Sequence, residues 1–230
     1  AEIPQIERDA LIALYNSTDG ANWTENTSWL GAVGTECDWY GVTCSSGSVS
    51  RIGLYRNSLS GSIPAAIGDL TQLEEINFYK NSLTGEIPKE ISNLSKLKLI
   101  QMGDNKLSGS LPSGISTLEN LEQIYLSNNE LTGDIPVGLG ELTKIYHLNL
   151  SNNSFSGSIP AELGNLANLG YLNLGANSFS GIIPPELGNL SKLLSLYLYT
   201  NSLSGSIPAG LSKLTNLTDL RLSNNSLSGS

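Results

Sequence analysis

Apolar and polar residues alternate along most of the chain in a pattern that repeats every 24 residues. Each copy has an asparagine, with apolar residues 8, 5 and 3 positions before it, a bulky apolar residue two positions after it and glycine four positions after it. The asparagines are Asn57, Asn81, Asn105, Asn129, Asn153, Asn177, Asn201 and Asn225. The unit reads LxxLxLxxNxLxGxIPxxLxxLxx, and its eight copies begin at Val49, Leu73, Leu97, Leu121, Ile145, Leu169, Leu193 and Leu217. A single period over eight copies indicates a stacked repeat architecture.

The spacing inside one unit predicts its local structure. The LxL stretch alternates apolar and polar residues, which is typical of a short strand with one buried face. The asparagine amide is expected to bond backbone groups of its own coil and of the next. Glycine and proline mark a tight turn, and the PxxLxxL segment is too short for an α-helix and favours a 3₁₀ turn. One unit cannot bury its leucines alone, so the sequence predicts an α/β, right-handed solenoid with a concave parallel sheet and 3₁₀ turns on the convex side.

Residues 1–48 do not repeat and are predicted to cap the first coil, which would otherwise expose its leucine face. A helix is expected from Pro4 to about Tyr15, with Ile6, Ala10, Leu11 and Leu14 on one side. Residues 49–230 form the predicted repeat region, with an incomplete eighth copy. This arrangement favours a fragment of a longer protein.

The repeat resembles the plant-type leucine-rich repeat over residues 49–230, because the IPxxLxxLxx half is typical of that class. The run CDWYGVTC at residues 37–44 resembles the CxWxGVxC motif in the N-terminal cap of extracellular leucine-rich repeat proteins. The resemblance implies an additional short strand at about residues 59–62 in each coil. We interpret Cys37 and Cys44 as a disulfide, which implies an oxidising, extracellular or cell-surface location. Two free buried thiols remain the alternative.

Composition excludes several classes of function. The 230 residues carry a net charge of −9, which does not suit binding to a phosphate backbone, and no apolar run is long enough to span a membrane. One histidine and two cysteines are too few for a Cys/His metal site. His147 is the only candidate base, and it is flanked on adjacent strands by Gln123 and Tyr171 rather than by an acid. We therefore expect a monomer without enzymatic activity, cofactor, nucleic acid or direct membrane insertion.

Tyrosines concentrate on the predicted concave sheet. Six of the nine fall in the outward-facing third, fifth and seventh positions of the units. Tyrosine offers a large contact area and a polar tip, so the cluster favours ligand recognition, although high strand propensity is an alternative explanation. The candidate ligand-binding residues are Tyr125, His147, Tyr171, Tyr197 and Tyr199, with Tyr55 and Tyr79 as a second patch. The predicted function is recognition of a protein, peptide or glycan, of the kind found in receptor ectodomains, adhesins or secreted inhibitors.

A second regular array gives an alternative. The twelfth position of each unit carries a hydroxyl residue: Ser60, Thr84, Ser108, Thr132, Ser156, Ser180, Ser204 and Ser228. Such a rank, repeated at about 4.8 Å, could order water, and some plant-type repeat proteins bind ice. The fourteenth position is mixed, which interrupts a flat surface. Ice binding and a structural spacer in a surface protein therefore remain alternatives to ligand recognition.

Overall fold

The computed structural model of the chain describes residues 2–229, so that Ala1 and Ser230, the outer ends of the two predicted regions, lie outside the described residues. The chain forms the predicted right-handed solenoid, built from one α-helix, short strands and 3₁₀ helices. Helix α1 spans Gln5–Ser17. The strands are β1 Val42–Ser45, β2 Ser48–Gly53, β3 Ser60–Ser62, β4 Glu75–Asn77, β5 Ser82–Glu86, β6 Leu99–Gln101, β7 Lys106–Gly109, β8 Gln123–Tyr125, β9 Glu130–Gly133, β10 His147–Asn149, β11 Ser154–Phe155, β12 Tyr171–Asn173, β13 Ser180–Ile182, β14 Ser195–Tyr197, β15 Ser202–Gly205, β16 Asp219–Arg221 and β17 Ser226–Leu227. The 3₁₀ helices are Gly20–Asn22, Glu36–Asp38, Ala65–Asp69, Lys89–Asn93, Ser113–Thr117, Val137–Glu141, Ala161–Asn165, Pro185–Asn189 and Ala209–Lys213.

The concave sheet contains the LxL segments of successive coils. Its strand order is β1-β2-β4-β6-β8-β10-β12-β14-β16, in which β1 pairs antiparallel with β2 and the later strands pair in parallel. Residues 24 positions apart are direct neighbours, as in the pair His147 and Tyr171. The central residue of each concave-sheet strand from β4 to β14, such as Leu148, is buried, so the residues on either side of it face the concave surface, whereas Leu220 at the centre of the last strand, β16, is 43% exposed.

A second, flanking sheet follows the asparagine turns. Strands β3, β5, β7, β9 and β11 form one part of it, and β13, β15 and β17 form the other. An isolated bridge between Ser158 and Ser180 connects the two parts. The additional strand implied by the family resemblance is thus present, at Ser60–Ser62 in the first coil.

The asparagines form a continuous ladder of backbone contacts. Asn153 Nδ2 donates to the carbonyl oxygens of Leu150 in its own coil at 3.1 Å and of Leu126 in the preceding coil at 2.9 Å. Its Oδ1 accepts the N–H of Leu131 at 3.0 Å. The bonds reach the preceding coil, whereas the sequence analysis expected the next one. They satisfy backbone groups that the turn removes from the sheet.

The cap contains the predicted helix, but with a different buried face. Ile6 is 56% exposed, so grouping it with Ala10, Leu11 and Leu14 on one side of the helix was wrong. Glu7 is buried in its place at 3% exposure, on the helical stripe that also carries Ala10, Leu11 and Leu14. Its Oε2 accepts the backbone N–H of Val49 at 2.7 Å. A buried carboxylate is tolerated inside the cap because it accepts a hydrogen bond from a backbone N–H of strand β2.

The cap loop is held by aromatic packing, an ion pair and a disulfide. Trp29 packs against both Trp23 and Trp39, with ring centroids 4.9 and 5.0 Å apart. Cys37 and Cys44 form the predicted disulfide. No helix among residues 2–229 is both long and apolar enough to cross a membrane.

Candidate functional site

Four aromatic side chains form one continuous stack across the concave sheet. We call Tyr125, His147, Tyr171 and Tyr197 the aromatic ladder. The His147 ring lies between Tyr125 and Tyr171, with centroids 4.3 and 4.2 Å away, and it is nearly parallel to Tyr171 at 10°. Tyr197 continues the ladder edge-on to Tyr171 at 5.4 Å. The in-register parallel pairing of β8, β10, β12 and β14 brings these residues together.

Polar contacts fix both ends of the ladder. At one end, the Tyr125 hydroxyl donates to Gln123 Oε1 at 2.8 Å. At the other end, the Tyr197 hydroxyl donates to Asp219 Oδ2 at 2.6 Å, and the Arg221 guanidinium lies 4.5 Å from the Tyr197 ring centre. These contacts hold the rings in place in the absence of a ligand, and this lowers the entropic cost of binding.

Tyr199 lies beside the ladder in a position made possible by glycine. A Cβ atom at Gly175 would come within 2.3 Å of the Tyr199 ring, so only glycine at that position admits the ring. The second patch is different: in the described part of the chain, no ring contact connects Tyr55 or Tyr79 to the ladder. Tyr55 is exposed on its own near the cap. The structure thus assembles the first candidate set and leaves Tyr55 and Tyr79 apart from it.

Burial between the tyrosines changes the titration of the ladder. Desolvation lowers the pKa of His147 from 6.5 to about 4. Desolvation also raises the pKa of the Tyr125 and Tyr171 phenols. At neutral or mildly acidic pH the ladder is uncharged, so its aromatic surface can contact a ligand without desolvating an imidazolium.

This burial predicts an unusual titration that one residue can report, since His147 is the only histidine. We expect proton NMR of its imidazole to give a pKa of about 4. Tyr171→Ala should raise that pKa toward 6.5, because the ring that covers one face is lost. Between pH 6.5 and about 4, His147 is protonated in the unfolded chain but neutral in the folded one. The free energy of unfolding should therefore fall as the pH drops from about 6.5 to about 4.

The matched control is Tyr55→Ala, which removes a tyrosine outside the ladder and should leave the titration unchanged. A wild-type pKa near 6.5 would contradict the stacked arrangement.

The sequence analysis missed the polar partners of the ladder. Asp219 and Arg221 lie at the third and fifth positions of the eighth copy, two residues apart on β16. Arg221 Nη2 donates to Asp219 Oδ2 at 3.0 Å, and hydrogen bonds from Arg221 and Tyr197 lower the pKa of the Asp219 carboxyl. Their positions in the repeat were the available signal, because the third, fifth and seventh positions of the other units also carry the tyrosines.

The hydroxyl rank lies on the flanking sheet and is partly used by the fold. Thr84 Oγ1 donates to the Gly61 carbonyl at 3.1 Å, and Ser204 Oγ donates to the Gly181 carbonyl at 3.4 Å, each in the preceding coil. Neighbouring fourteenth-position residues interrupt the surface with charge or bulk, as Glu86 and Ile182 do. Ice binding by this rank stays a hypothesis.

Sequence comparison identifies the class of protein that this architecture defines. The Leucine Rich Repeat family model matches residues 72–94, 120–142, 144–166, 168–190 and 192–214, together half of the chain. The chain belongs to the leucine-rich repeat family.

The chain is similar to solved structures of plant receptors. The PEPR1–AtPEP1 crystal structure matches 97% of this chain with 33% identity and a TM-score of 0.91, and the match covers 32% of that chain. The plant peptide hormone receptor RGFR1, in complex with RGF2, matches 77% of this chain with 42% identity and a TM-score of 0.76, and the match covers 28% of it. This chain therefore spans about a third of these receptor chains.

A plant ice-binding protein also has the same fold. Its structure matches 100% of this chain and 89% of its own, with a TM-score of 0.64 and 24% identity. At this identity the likeness concerns the fold alone.

Proposed function

We propose that the protein is a non-catalytic, extracellular or cell-surface recognition module whose concave face binds a peptide in extended conformation. The single observation that carries this proposal is the continuous, pre-ordered aromatic ladder. Two similar structures support it, since RGFR1 is described as a peptide hormone receptor in complex with RGF2 and PEPR1 is seen with AtPEP1. The proposal takes residues 1–48 as the cap and 49–230 as the repeat region of a monomer.

The orientation of the rings favours a peptide over a glycan. Sugars stack on exposed aromatic faces, but both faces of His147 are covered by neighbouring rings. The ladder instead offers ring edges and phenol groups. Aromatic edges carry partial positive charge, which complements the carbonyl oxygens of an extended backbone. Four adjacent strands span about 15 Å, which is the length of four to five extended residues.

The charge distribution also suits a ligand of low net charge. At the third, fifth and seventh positions of units five to eight, which face the concave surface, the only charged residues are Asp219 and Arg221. The other charged residues of these units lie away from that surface: Glu162, Glu186, Lys192 and Lys213. The Arg221 and Asp219 charges compensate each other through a salt bridge of 3.0 Å. A near-neutral face is less costly to desolvate than a charged one.

Selection from a random twelve-residue peptide library against the purified domain, in parallel with a glycan array, tests the proposal. We expect peptide binders, and we expect Tyr171→Ala/Tyr197→Ala to weaken the selected peptide by about 100-fold, since buried tyrosines are frequent interface hot spots. The matched control is Tyr55→Ala, which should change affinity less than about twofold. Circular dichroism of each variant establishes that the solenoid is intact.

Three outcomes contradict the proposal. Binders on the glycan array alone would replace the peptide by a sugar. Absence of any binder in both screens would favour the spacer interpretation. Unchanged affinity of the double variant, with loss of binding after substitution of Ser60, Thr84 and Ser108, would move the site to the hydroxyl-bearing flank.

A further inference from the structure

A separate groove lies outside the concave sheet, where the flanking sheet meets the 3₁₀ helices of the fourth to sixth coils. It has a volume of about 530 Å³. Ile135 and Ile159 are buried beneath it, and Pro160 and Pro184 are buried beside them. Val137 and Ile182 line it while remaining 63% and 59% exposed. The groove therefore presents apolar side chains to solvent above a rigid apolar floor.

The repeat consensus does not account for these exposed apolar residues. Ile182 occupies the fourteenth position of its unit, where five other coils have Ser62, Ser110, Ser158, Ser206 and Ser230 and two have Glu86 and Asp134. At the seventeenth position, Val137 and Pro185 are bulkier than the alanine of three other coils (Ala65, Ala161 and Ala209), and two further coils have the polar residues Lys89 and Ser113. Serine at the fourteenth position is evidently compatible with the fold, so packing of the solenoid does not require isoleucine there.

The rim of the groove is acidic on two sides. Asp134 follows strand β9 on the side of the flanking sheet, and Glu162 and Glu186 lie on the facing 3₁₀ helices. All three carboxylates are exposed, and the described lining residues include no lysine, arginine or histidine. A docked segment would therefore meet an apolar floor and a negatively charged rim.

We propose that this groove docks an extended protein segment in which an apolar side chain lies between two lysine or arginine residues. The groove crosses three coils, or about 10 Å at the strand spacing, which matches three residues of extended chain. The apolar side chain would fill the space between Val137 and Ile182, and the flanking cations would approach the rim carboxylates. Charge complementarity of this kind increases association rate and selects against acidic partners.

This surface is distinct from the aromatic ladder. The ladder lies on strands of the concave sheet, whereas the groove is lined by residues that follow the flanking sheet and by the 3₁₀ helices. One molecule of this protein could therefore bind a ligand on its concave face and a partner in its groove at the same time. The proposal does not depend on the ligand of the ladder.

The test is methyl and aromatic NMR of the ¹³C-labelled protein titrated with acetyl-Gly-Arg-Phe-Arg-Gly-amide. We expect saturable shifts of the Val137 and Ile182 methyl groups and none of the His147 ring. The same peptide with glutamate in place of arginine should not bind. Ile182→Ser, which introduces the residue found at this position in five other coils, should weaken binding about tenfold through lost apolar contact. Glu162→Gln/Glu186→Gln should weaken it about fivefold at low salt, and less as salt increases.

Glu86→Gln is the matched control, because it removes one carboxylate from the fourteenth position of a coil outside the groove. It should leave the affinity unchanged. The proposal is overturned if no methyl group shifts, if the shifts map to another surface, or if the glutamate peptide binds equally well. It is also overturned if the variants at Ile182 and at Glu162 with Glu186 bind like the wild type.

Discussion

Arg8→Ala is expected to lower the free energy of unfolding by about 3–5 kcal/mol, because it leaves a buried carboxylate without its cation. Arg8 and Glu36 form a salt bridge with side chains only 12% and 1% exposed. Arg8 Nη2 also donates to the Gly31 carbonyl at 2.7 Å, and its guanidinium lies 5.2 Å from the Trp39 ring centre. This one side chain therefore connects helix α1 to the cap loop. Chemical denaturation followed by tryptophan fluorescence measures the change.

The exposed pair between Arg51 and Glu75 is the matched control. Arg51 is 52% exposed, so Arg51→Ala should cost less than about 1 kcal/mol. Adding Glu36→Gln to Arg8→Ala should recover part of the loss, because the uncompensated charge is removed. Equal effects of Arg8→Ala and Arg51→Ala would contradict the importance of burial.

The same ion pair has a predicted pH dependence. Burial alone would raise the pKa of the Glu36 carboxyl, but hydrogen bonds from its own backbone N–H, from Arg8 and from Gly34 together lower it below 4.5. A depressed pKa contributes stability above the unfolded value, and this contribution is lost as the pH falls through the folded value. The difference between wild type and Arg8→Ala should therefore narrow as the pH falls below about 4.5.

Phe179→Ala is expected to lower the free energy of unfolding by about 3–5 kcal/mol through loss of buried area and formation of a cavity. Phe155 and Phe179 occupy the eleventh position in adjacent coils and are fully buried. Their rings are parallel within 6°, with centroids 6.3 Å apart. Coils in a solenoid contact only their neighbours, so the loss should loosen the fifth to seventh coils first. Urea denaturation and amide hydrogen exchange measure the two effects.

Phe179→Leu is the control that other coils provide. In other coils this position is a leucine, and these leucines are fully buried: Leu83, Leu107, Leu131 and Leu203. This substitution should cost less than about 1.5 kcal/mol, because most of the volume is kept. A loss as large as that of Phe179→Ala would show that the packed pair of rings, rather than the filled volume, stabilises these coils.

The repeat allowed local structure and burial to be predicted, whereas in the cap the helix and the disulfide were predicted but the buried face of the helix was not. The asparagine ladder, the 3₁₀ turns and the concave sheet followed from spacing, because each coil repeats the contacts of its neighbour. Ile6 shows the limit: the sequence pattern grouped it with Ala10, Leu11 and Leu14, but the structure buries Glu7 beside them, and Glu7 accepts the backbone N–H of Val49. Residues 42 positions apart make that contact, and no local pattern predicts it.

The sequence by itself determined the period, the faces of each coil and therefore the set of side chains that point from the concave sheet. Because parallel strands pair with an offset of one 24-residue repeat, the sequence alone places four aromatic residues on adjacent strands: Tyr125, His147, Tyr171 and Tyr197. Only the tertiary structure decided that their rings stack, that Gly175 admits Tyr199, and that burial lowers the pKa of His147 to about 4. Rotamers and desolvation depend on atoms contributed by adjacent coils, so a one-dimensional pattern fixes which side chains meet but not how they pack.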